Sequence, residues 1–333
     1  MPAKLSEQMK EYLLWLNENA GRRINIEFFG GEPLLFFDRI KEIYQFFHSM
    51  SNCIYTFSLT TNGKMMDEEK LEWLNARFFS ICYSYDGPRS EEIRGYDVWK
   101  EKKDMILNTN DVYLSSVLTS KSYIYDVCSS LQKIQKEYRA KNGYDINVSM
   151  TDVMENINGH RDKSLTVIDI EEMKRQYRDL LSYYIKYESI TNKEQAENFY
   201  NEYSIIINRA RGIVQGKVVN TIEDDFRLTH FCGEFFYNIS IDLDGNVYDC
   251  LFSSEPILHV NDNSEKVLRK MMENEYPLMK RKDTLCRNCY AWPLCDGGCK
   301  NNLEPEALKK WCQVQQAIMD VVIEIADKNL VFY

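Results

Sequence analysis

The stretch that decides the fold is INIEFFGGEPLLFF, residues 24–37, in which an apolar run leads into two glycines, an acid and a proline. The run predicts a strand over 24–29. Gly30 and Gly31 remove two side chains, so a ligand can approach the backbone closely. Glu32 places a carboxylate beside this gap. Two interpretations are open, an ordinary turn, which is the commoner one for so short a motif, or a strand end that holds a small ligand.

The chain around this stretch alternates between strands and helices. The further predicted strands cover residues 54–63, 78–88, 112–119 and 144–150, and the predicted helices cover residues 5–19, 37–50, 67–77, 97–108 and 122–140. Such alternation is typical of an α/β fold with a parallel sheet, here a barrel or partial barrel. Ligands bind such sheets at the C-terminal ends of the strands. GGEP, TTNG and SYDGP all fall at such ends, which favours the ligand site.

Composition narrows the classes of function. The chain has 333 residues, a formal net charge of -10 and no long basic run, so we expect no nucleic-acid partner. No stretch approaches ~18 uninterrupted apolar residues, so no membrane span is expected. The N-terminus is amphipathic and interrupted by acids and lysines, unlike a signal peptide. The expected location is therefore the cytoplasm.

The ten cysteines are unevenly distributed. Cys53, Cys82 and Cys128 are isolated and are predicted to be core thiols. The other seven crowd into the C-terminal third: Cys232, Cys250, Cys286, Cys289, Cys295, Cys299 and Cys312. Dense thiolates suit zinc or iron–sulfur clusters. Two four-iron clusters could use all seven thiolates, whereas a four-ligand zinc site would leave some unused. Two clusters are therefore favoured, with a zinc scaffold as the alternative.

These patterns predict three regions: a partial barrel at 1–155, a helical connector at 156–229 and a cysteine-rich domain at 230–333. The connector is predicted to be helical over 168–215. The last region begins with a hairpin whose turn is Asp244-Gly245 and ends with a helix over 305–328.

The motifs resemble those of one known family. The cysteine spacing C-x12-G-x4-C, then C-x2-C-x5-C-x3-C, then a last cysteine, resembles the SPASM domain of radical S-adenosylmethionine (SAM) enzymes. FFGGEPLL, TTNG and YSYDGP are similar to motifs of the same superfamily. The resemblance covers residues 5 to 325. It implies a partial radical SAM barrel followed by a SPASM domain, in a peptide maturase or an anaerobic sulfatase maturase.

The resemblance also implies roles for single residues. Gly30, Gly31 and Glu32 would meet the SAM amino group. Ser84 and Asp86 would hydrogen-bond its ribose or methionine part, and Arg94 would face its carboxylate. One auxiliary four-iron cluster would be held by Cys286, Cys289, Cys295 and Cys312, and the other by Cys232, Cys250 and Cys299. Because the second set has only three thiolates, one iron would be open and could bind a substrate cysteine.

One departure from the family limits the expected activity. Radical SAM enzymes hold a third, catalytic four-iron cluster with C-x3-C-x2-C after the first barrel strand, and this motif is absent from the 333 residues. We therefore expect a barrel without its first strand, in a truncated and inactive piece of a parent enzyme. A natural pseudoenzyme is the alternative. The resemblance implies that the parent takes electrons from a donor such as flavodoxin or ferredoxin.

The expected substrate is a precursor peptide or protein, modified by a thioether, a carbon–carbon link or side-chain oxidation. Sulfatase maturation is less favoured, because Phe29 stands where those enzymes usually have glutamine. The alternative from another class is a scaffold, holding iron–sulfur clusters or zinc, that binds a peptide without catalysis.

Overall fold

The computed structural model describes residues 7–20, 24–49, 55–152, 163–188, 239–251, 253, 255–262, 289–291 and 305–329. Of the predicted helical connector it describes residues 163–188, and the rest of that prediction lies outside the described residues.

Five parallel strands form the main sheet. They are β1 (Ile24–Phe28), β2 (Tyr55–Thr61), β3 (Ser80–Ser84), β4 (Asp111–Leu118) and β5 (Asn147–Asp152). Their order in the sheet follows their order in the chain, and each neighbouring pair is parallel. Parallel neighbours need a crossover connection, which the helices between the strands provide. The predicted α/β class is confirmed.

Eight α-helices lie in the described part of the chain. They are α1 (Glu7–Ala20), α2 (Phe37–His48), α3 (Glu68–Asn75), α4 (Ser90–Arg94), α5 (Val98–Leu107), α6 (Ile124–Asn142), α7 (Ile170–Glu188) and α8 (Pro305–Asn329). Three begin at aspartate caps, one of them Asp169, whose carboxylate accepts from the Glu171 N–H at 3.0 Å at the start of α7. The Asp67 carboxylate accepts from the Lys70 N–H at 2.9 Å, and that of Asp97 from the Trp99 N–H at 3.0 Å. None of the described helices is long and apolar enough to cross a membrane.

The sheet packs its core against the helices on one face. Phe57 and Phe79 stack with ring centroids 5.1 Å apart, and Phe28 stacks on Phe79 at 6.0 Å. Helix α8 joins the same core through buried Ile318 and Val321. Two ion pairs also link α8 to α7, Lys174 with Asp320 at 3.2 Å and Arg178 with Glu324 at 3.0 Å.

A small antiparallel sheet forms a second cluster. Its strands are β6 (Ser240–Ile241), β7 (Asn246–Tyr248) and β8 (Leu258–His259). The β6–β7 pair is the predicted hairpin, and the Asp242 carboxylate holds its turn by accepting from the Asp244 and Asn246 N–H groups, each at 2.9 Å. The N-terminal helix α1 packs on this sheet through Met9 and Tyr12, which lie against Val247, Leu258 and Val260.

Candidate functional site

The end of β1 leaves two glycines open. A side-chain carbon built on Gly30 or Gly31 would meet nothing within 4 Å, and Gly30 has φ +134°. The Glu32 carboxylate accepts from the Thr61 hydroxyl at 2.7 Å and from the Asn62 N–H at 2.9 Å. It therefore fastens the end of β1 to the end of β2 and leaves the diglycine backbone accessible.

The glycines at the other two strand ends serve packing instead. At Gly63, with φ +77°, an added Cβ would lie 2.5 Å from the Val98 Cγ2 atom. At Gly87, with φ +81°, it would lie 3.2 Å from the Val127 Cα atom. Among the three motifs that the sequence places at this rim, GGEP is thus the one whose glycines face open space.

The end of β3 holds an arginine in a fixed orientation. Arg94 donates to Asp86 from Nε at 2.6 Å and from Nη2 at 3.0 Å, and the Val117 N–H donates to the same carboxylate at 2.8 Å. Asp86 is 1% exposed, whereas the Arg94 side chain is 30% exposed. Both Asp86 oxygens are occupied by protein donors. Within the described residues the Nη1 group of Arg94 has no acceptor, so it is directed outward as a fixed cation.

Ser84, the last residue of β3, lies on the face of the sheet that points away from the covering helices. We call this the inner face. It is almost entirely polar, and the hydroxyl of Ser84 has no partner in the described part of the chain. The sequence interpretation did not use this feature, although polar residues recur at every second position of INIEF, TFSLT and SICYS. The other polar residues of this face include Asn25, Glu27, Ser58, Thr60, Ser80, Ser115 and Ser149.

Hydrogen bonds join the inner-face side chains across the strands. The Thr60 hydroxyl donates to the Glu27 Oε1 atom at 2.9 Å, and the Ser149 hydroxyl donates to Ser115 at 3.3 Å. Between them lies Cys82, whose thiol is hydrogen-bonded to Thr60 and Ser115. This polar belt, from Glu27 to Ser149, crosses all five strands.

Burial, and then the negative charge of Glu27, raise the pKa of Cys82 to about 11, while the two hydrogen bonds and the charge of Arg94 act in the opposite direction. The thiol is therefore neutral at neutral pH. Cys82 was predicted to be a core thiol, but it is half-buried on the inner face. Cys128 is buried as predicted, and Cys53 lies outside the described residues.

Three of the seven clustered cysteines, Cys250, Cys289 and Cys312, lie in the described residues and are half-buried. The Gln316 side-chain amide donates to the Cys289 sulfur at 3.8 Å. Gln316 follows Cys312 by one helical turn, so the two share a face of α8. Tyr290 donates to Asp320, one turn further, at 2.9 Å. Cys289 is thus held beside the helix face that carries Cys312.

The complete ligand sets remain predictions. Cys232, Cys286, Cys295 and Cys299 lie outside the described residues. Within the described ranges no group of three or more histidine, cysteine, aspartate or glutamate side chains is arranged to hold a metal ion.

Solved structures share this fold. Native anSMEcpe, an anaerobic sulfatase-maturating enzyme, with bound AdoMet and Cp18Cys peptide, superposes with a TM-score of 0.67 over 98% of this chain and 91% of that one, at 16% identity. A hexahistidine-tagged form of anSMEcpe with bound AdoMet gives 0.66, the same coverage and 18% identity. At these identities the likeness establishes the fold alone, which this chain shares with anSMEcpe.

The sequence match covers a smaller part of the chain than the structural match. The uncharacterized protein MJ0907 of Methanocaldococcus jannaschii is 31% identical over 94 residues, which are 28% of this chain. The match spans 32% of the length of that relative. No family model matches the chain.

Proposed function

We propose that this chain binds SAM at the C-terminal ends of β1 and β3 and serves in the radical-based modification of a peptide or protein. The observation that carries the proposal is the Arg94–Asp86 pair on the same rim as the open diglycine. An oriented guanidinium suits a carboxylate, and accessible backbone carbonyls beside Glu32 suit an ammonium. Together they match the carboxylate and the ammonium that the methionine part of SAM carries on its α-carbon.

In this proposal the rim residues act in different ways. Arg94 contacts the SAM carboxylate, and Asp86 positions Arg94 without touching SAM. The Ser84 hydroxyl, half-buried on the inner face at the end of β3, hydrogen-bonds the ribose. Glu32 shapes the diglycine through its bonds to Thr61 and Asn62, and its remaining lone pairs face the ammonium.

The cysteine region fits iron–sulfur clusters as far as it is described. Cys289 and Cys312 lie beside one helix face, and a side-chain N–H donates to the Cys289 sulfur, an arrangement that suits a thiolate ligand. We propose that these two, with Cys286 and Cys295, hold one auxiliary cluster, and that Cys250, with Cys232 and Cys299, holds the other. Such clusters supply one-electron transfer or an iron site for substrate.

SAM held at this rim would supply a 5′-deoxyadenosyl radical for removal of a hydrogen atom from the substrate, formed together with methionine when one electron cleaves the carbon–sulfur bond of SAM. The family's electron source is the C-x3-C-x2-C cluster, whose motif is absent from the 333 residues. For this chain as it stands we therefore propose SAM binding without reductive cleavage. In a protein that also carries the C-x3-C-x2-C cluster, the product of the modification is a thioether, a carbon–carbon link or an oxidised side chain.

The second candidate function is a non-catalytic scaffold that binds a peptide partner. The absence of the C-x3-C-x2-C motif from the 333 residues favours this candidate. Metal analysis after anaerobic reconstitution tests the two clusters, which the modification of a peptide requires and which zinc could replace in the scaffold. We expect about eight iron and eight sulfide per chain, from two four-iron clusters. Stoichiometric zinc without sulfide would contradict both clusters. Cys82→Ser and Cys128→Ser are matched controls and should leave the iron content unchanged.

Equilibrium dialysis with SAM tests the cofactor site. Arg94→Ala should weaken SAM binding about tenfold or more, since it removes a charge-assisted contact. Arg175→Ala removes an exposed arginine on α7 and should leave the affinity unchanged. If Arg94→Ala binds SAM as tightly as the unaltered chain, the proposed site is wrong. Formation of 5′-deoxyadenosine with dithionite would overturn the expectation that SAM is not cleaved, and would argue against the scaffold.

A further inference from the structure

The inner face of the sheet differs from the interior of an ordinary closed barrel. Parallel barrels usually fill their interior with branched apolar side chains. Here hydroxyls, amides and two carboxylates take most of those positions, and the belt runs among them from Glu27 to Ser149. Polar groups in such number are stable at this face only when water or a polar ligand satisfies them. The face is therefore suited to a polar substrate.

Glu27 is the charged member of this belt. Its side chain is exposed, and its Oε1 atom accepts from Thr60 at 2.9 Å. Its Oε2 atom has no donor among the residues that the structure describes. Glu27 precedes Gly30 by three residues, which at ~3.3 Å per residue places it roughly 10 Å along the strand from the diglycine. A group bound at Glu27 thus lies deeper in the sheet than a ligand at the rim.

The charges around Glu27 favour a cation. The five strands contain no lysine or arginine. Arg94, the cation beside the end of β3 that acts to lower the pKa of Cys82, is already paired with Asp86 at 2.6 Å. Asp111, at the start of β4, adds a second carboxylate on the same face and accepts from Ser80. An acidic side chain would meet like charge here, whereas a basic one would find carboxylate and hydroxyl acceptors.

We propose that Glu27 binds a basic side chain, lysine or arginine, of the peptide whose neighbouring residue is modified. The inference rests on the proposed function and names its substrate class. Glu27 is a specificity residue in this scheme: it holds the peptide through a charge-assisted hydrogen bond and takes no part in the reaction. The hydroxyls of the belt accept the remaining N–H groups of the same side chain.

A selection experiment tests this proposal on the full chain, reconstituted with iron and sulfide and saturated with SAM. Random peptides displayed on phage are selected on immobilised protein, in parallel for the unaltered chain, Glu27→Gln and Glu69→Gln. The glutamine at 27 keeps the Thr60 hydrogen bond and removes the charge. Glu69 is an exposed acid on α3, so its variant is a control of equal charge. Lysine and arginine should be enriched by the unaltered chain and by Glu69→Gln, and not by Glu27→Gln.

The affinity of one selected peptide then measures the interaction between Glu27 and the basic side chain of the peptide directly. By fluorescence anisotropy, Glu27→Gln should bind it about fivefold to tenfold more weakly. A second peptide, with glutamine in place of the basic residue, should bind the unaltered chain more weakly by the same factor. On Glu27→Gln the two peptides should bind with equal affinity. Selection without basic enrichment, or selection of no peptide at all, would overturn the proposal.

SAM affinity, measured on the same variants, separates this proposal from the cofactor site. Glu27→Gln should leave SAM binding unchanged. If it weakens SAM binding tenfold while the selected peptides stay the same, the carboxylate serves the cofactor and the proposal is wrong. If the unaltered chain binds no SAM, the proposed function fails by itself. A basic preference that depends on Glu27 would still support the peptide site.

Discussion

The two faces of the five-stranded sheet are built from the same strands and have opposite chemistry. The outer face carries Phe57, Leu59, Ile81 and Leu114, which are buried against the helices. The inner face carries hydroxyls, amides and acids. Alternate residues of one segment thus belong either to the buried core or to the polar face. A substitution on the outer face should damage the fold, and one on the inner face should change binding while the fold remains.

The largest effect is expected for Phe79→Ala. Phe79 is fully buried in the aromatic stack, and loss of a buried phenylalanine costs about 3–5 kcal/mol in the free energy of unfolding. The neighbouring Phe78 is 85% exposed, so Phe78→Ala should change it by less than about 0.5 kcal/mol. Urea unfolding followed by circular dichroism measures both. Equal losses would show that the outer face is not the core.

A slightly smaller loss of stability is expected for substitution of Gly63, and none for Gly31, although both glycines lie at the rim. Gly63→Ala forces a Cβ against Val98 at a positive φ, which should destabilise the chain by about 2–4 kcal/mol. Gly31→Ala meets nothing within 4 Å, so the fold should keep its stability while SAM binding weakens. Thermal unfolding and SAM dialysis check the pair. A Gly31→Ala chain that unfolds as easily as Gly63→Ala would contradict the assignment of Gly31 to ligand contact.

The position of Cys82 on the inner face also predicts that its thiol is alkylated slowly. Because its pKa is raised from 9.0 to about 11, Cys82 should react with iodoacetamide at pH 8 about 100-fold more slowly in the folded chain than in urea, as peptide mass spectrometry can measure. Glu27→Gln removes a nearby negative charge and should speed the reaction. Between pH 9 and 11 the unfolded chain loses this proton while the folded chain keeps it, so stability should fall as pH rises through that window. Equal rates in both states would refute the burial of this thiol.

A modest effect is expected at the cysteine region. Gln316→Leu removes the N–H that donates to the Cys289 sulfur, and loss of such a bond should lower the reduction potential of the cluster by an amount on the order of tens of millivolts. A redox titration followed by electron paramagnetic resonance measures it at equal iron content. Gln313→Leu, exposed on the same helix, is the control. An unchanged potential in Gln316→Leu would mean that Cys289 is not a ligand of that cluster.

The smallest effect is expected for Ser149→Ala. Its hydroxyl donates to Ser115 at 3.3 Å on an exposed part of the inner face, so its removal should cost less than about 0.5 kcal/mol of unfolding free energy. Chemical denaturation beside Phe79→Ala provides the comparison. A loss above about 2 kcal/mol would show that the polar belt supports the fold and would erase the difference between the faces.

The sequence predicted most of the sheet because its signals are local. The strand predicted at 24–29 is found at 24–28, and the helix predicted at 97–108 is found at 98–107, where Asp97 caps it. The ion pair of Asp86 with Arg94 could not be predicted from local sequence signals. It depends on a short turn and on α4, a five-residue helix with too little periodicity to detect. Asp86 was therefore interpreted as a direct SAM contact, and its occupied carboxylate became visible only in the structure.

The polar inner face, in contrast, follows from the alternate polar residues of the strands, although the sequence interpretation did not include it. Cys82 illustrates the same point. Its apolar neighbours Ile81 and Tyr83 suggested a core position, but period-two alternation places it on the opposite face from both.

The packing of α1 on the small antiparallel sheet has a consequence for biosynthesis. Tyr12 rests on Val247, and about 235 residues separate the two partners along the chain. At ~5–20 residues per second, a ribosome needs roughly 12–47 s to make that stretch. During this interval the apolar side of α1, with Met9, Tyr12 and Leu13, leaves the exit tunnel before its own surface exists. The nascent chain therefore offers a chaperone a hydrophobic segment from the time α1 emerges until the small sheet has been made.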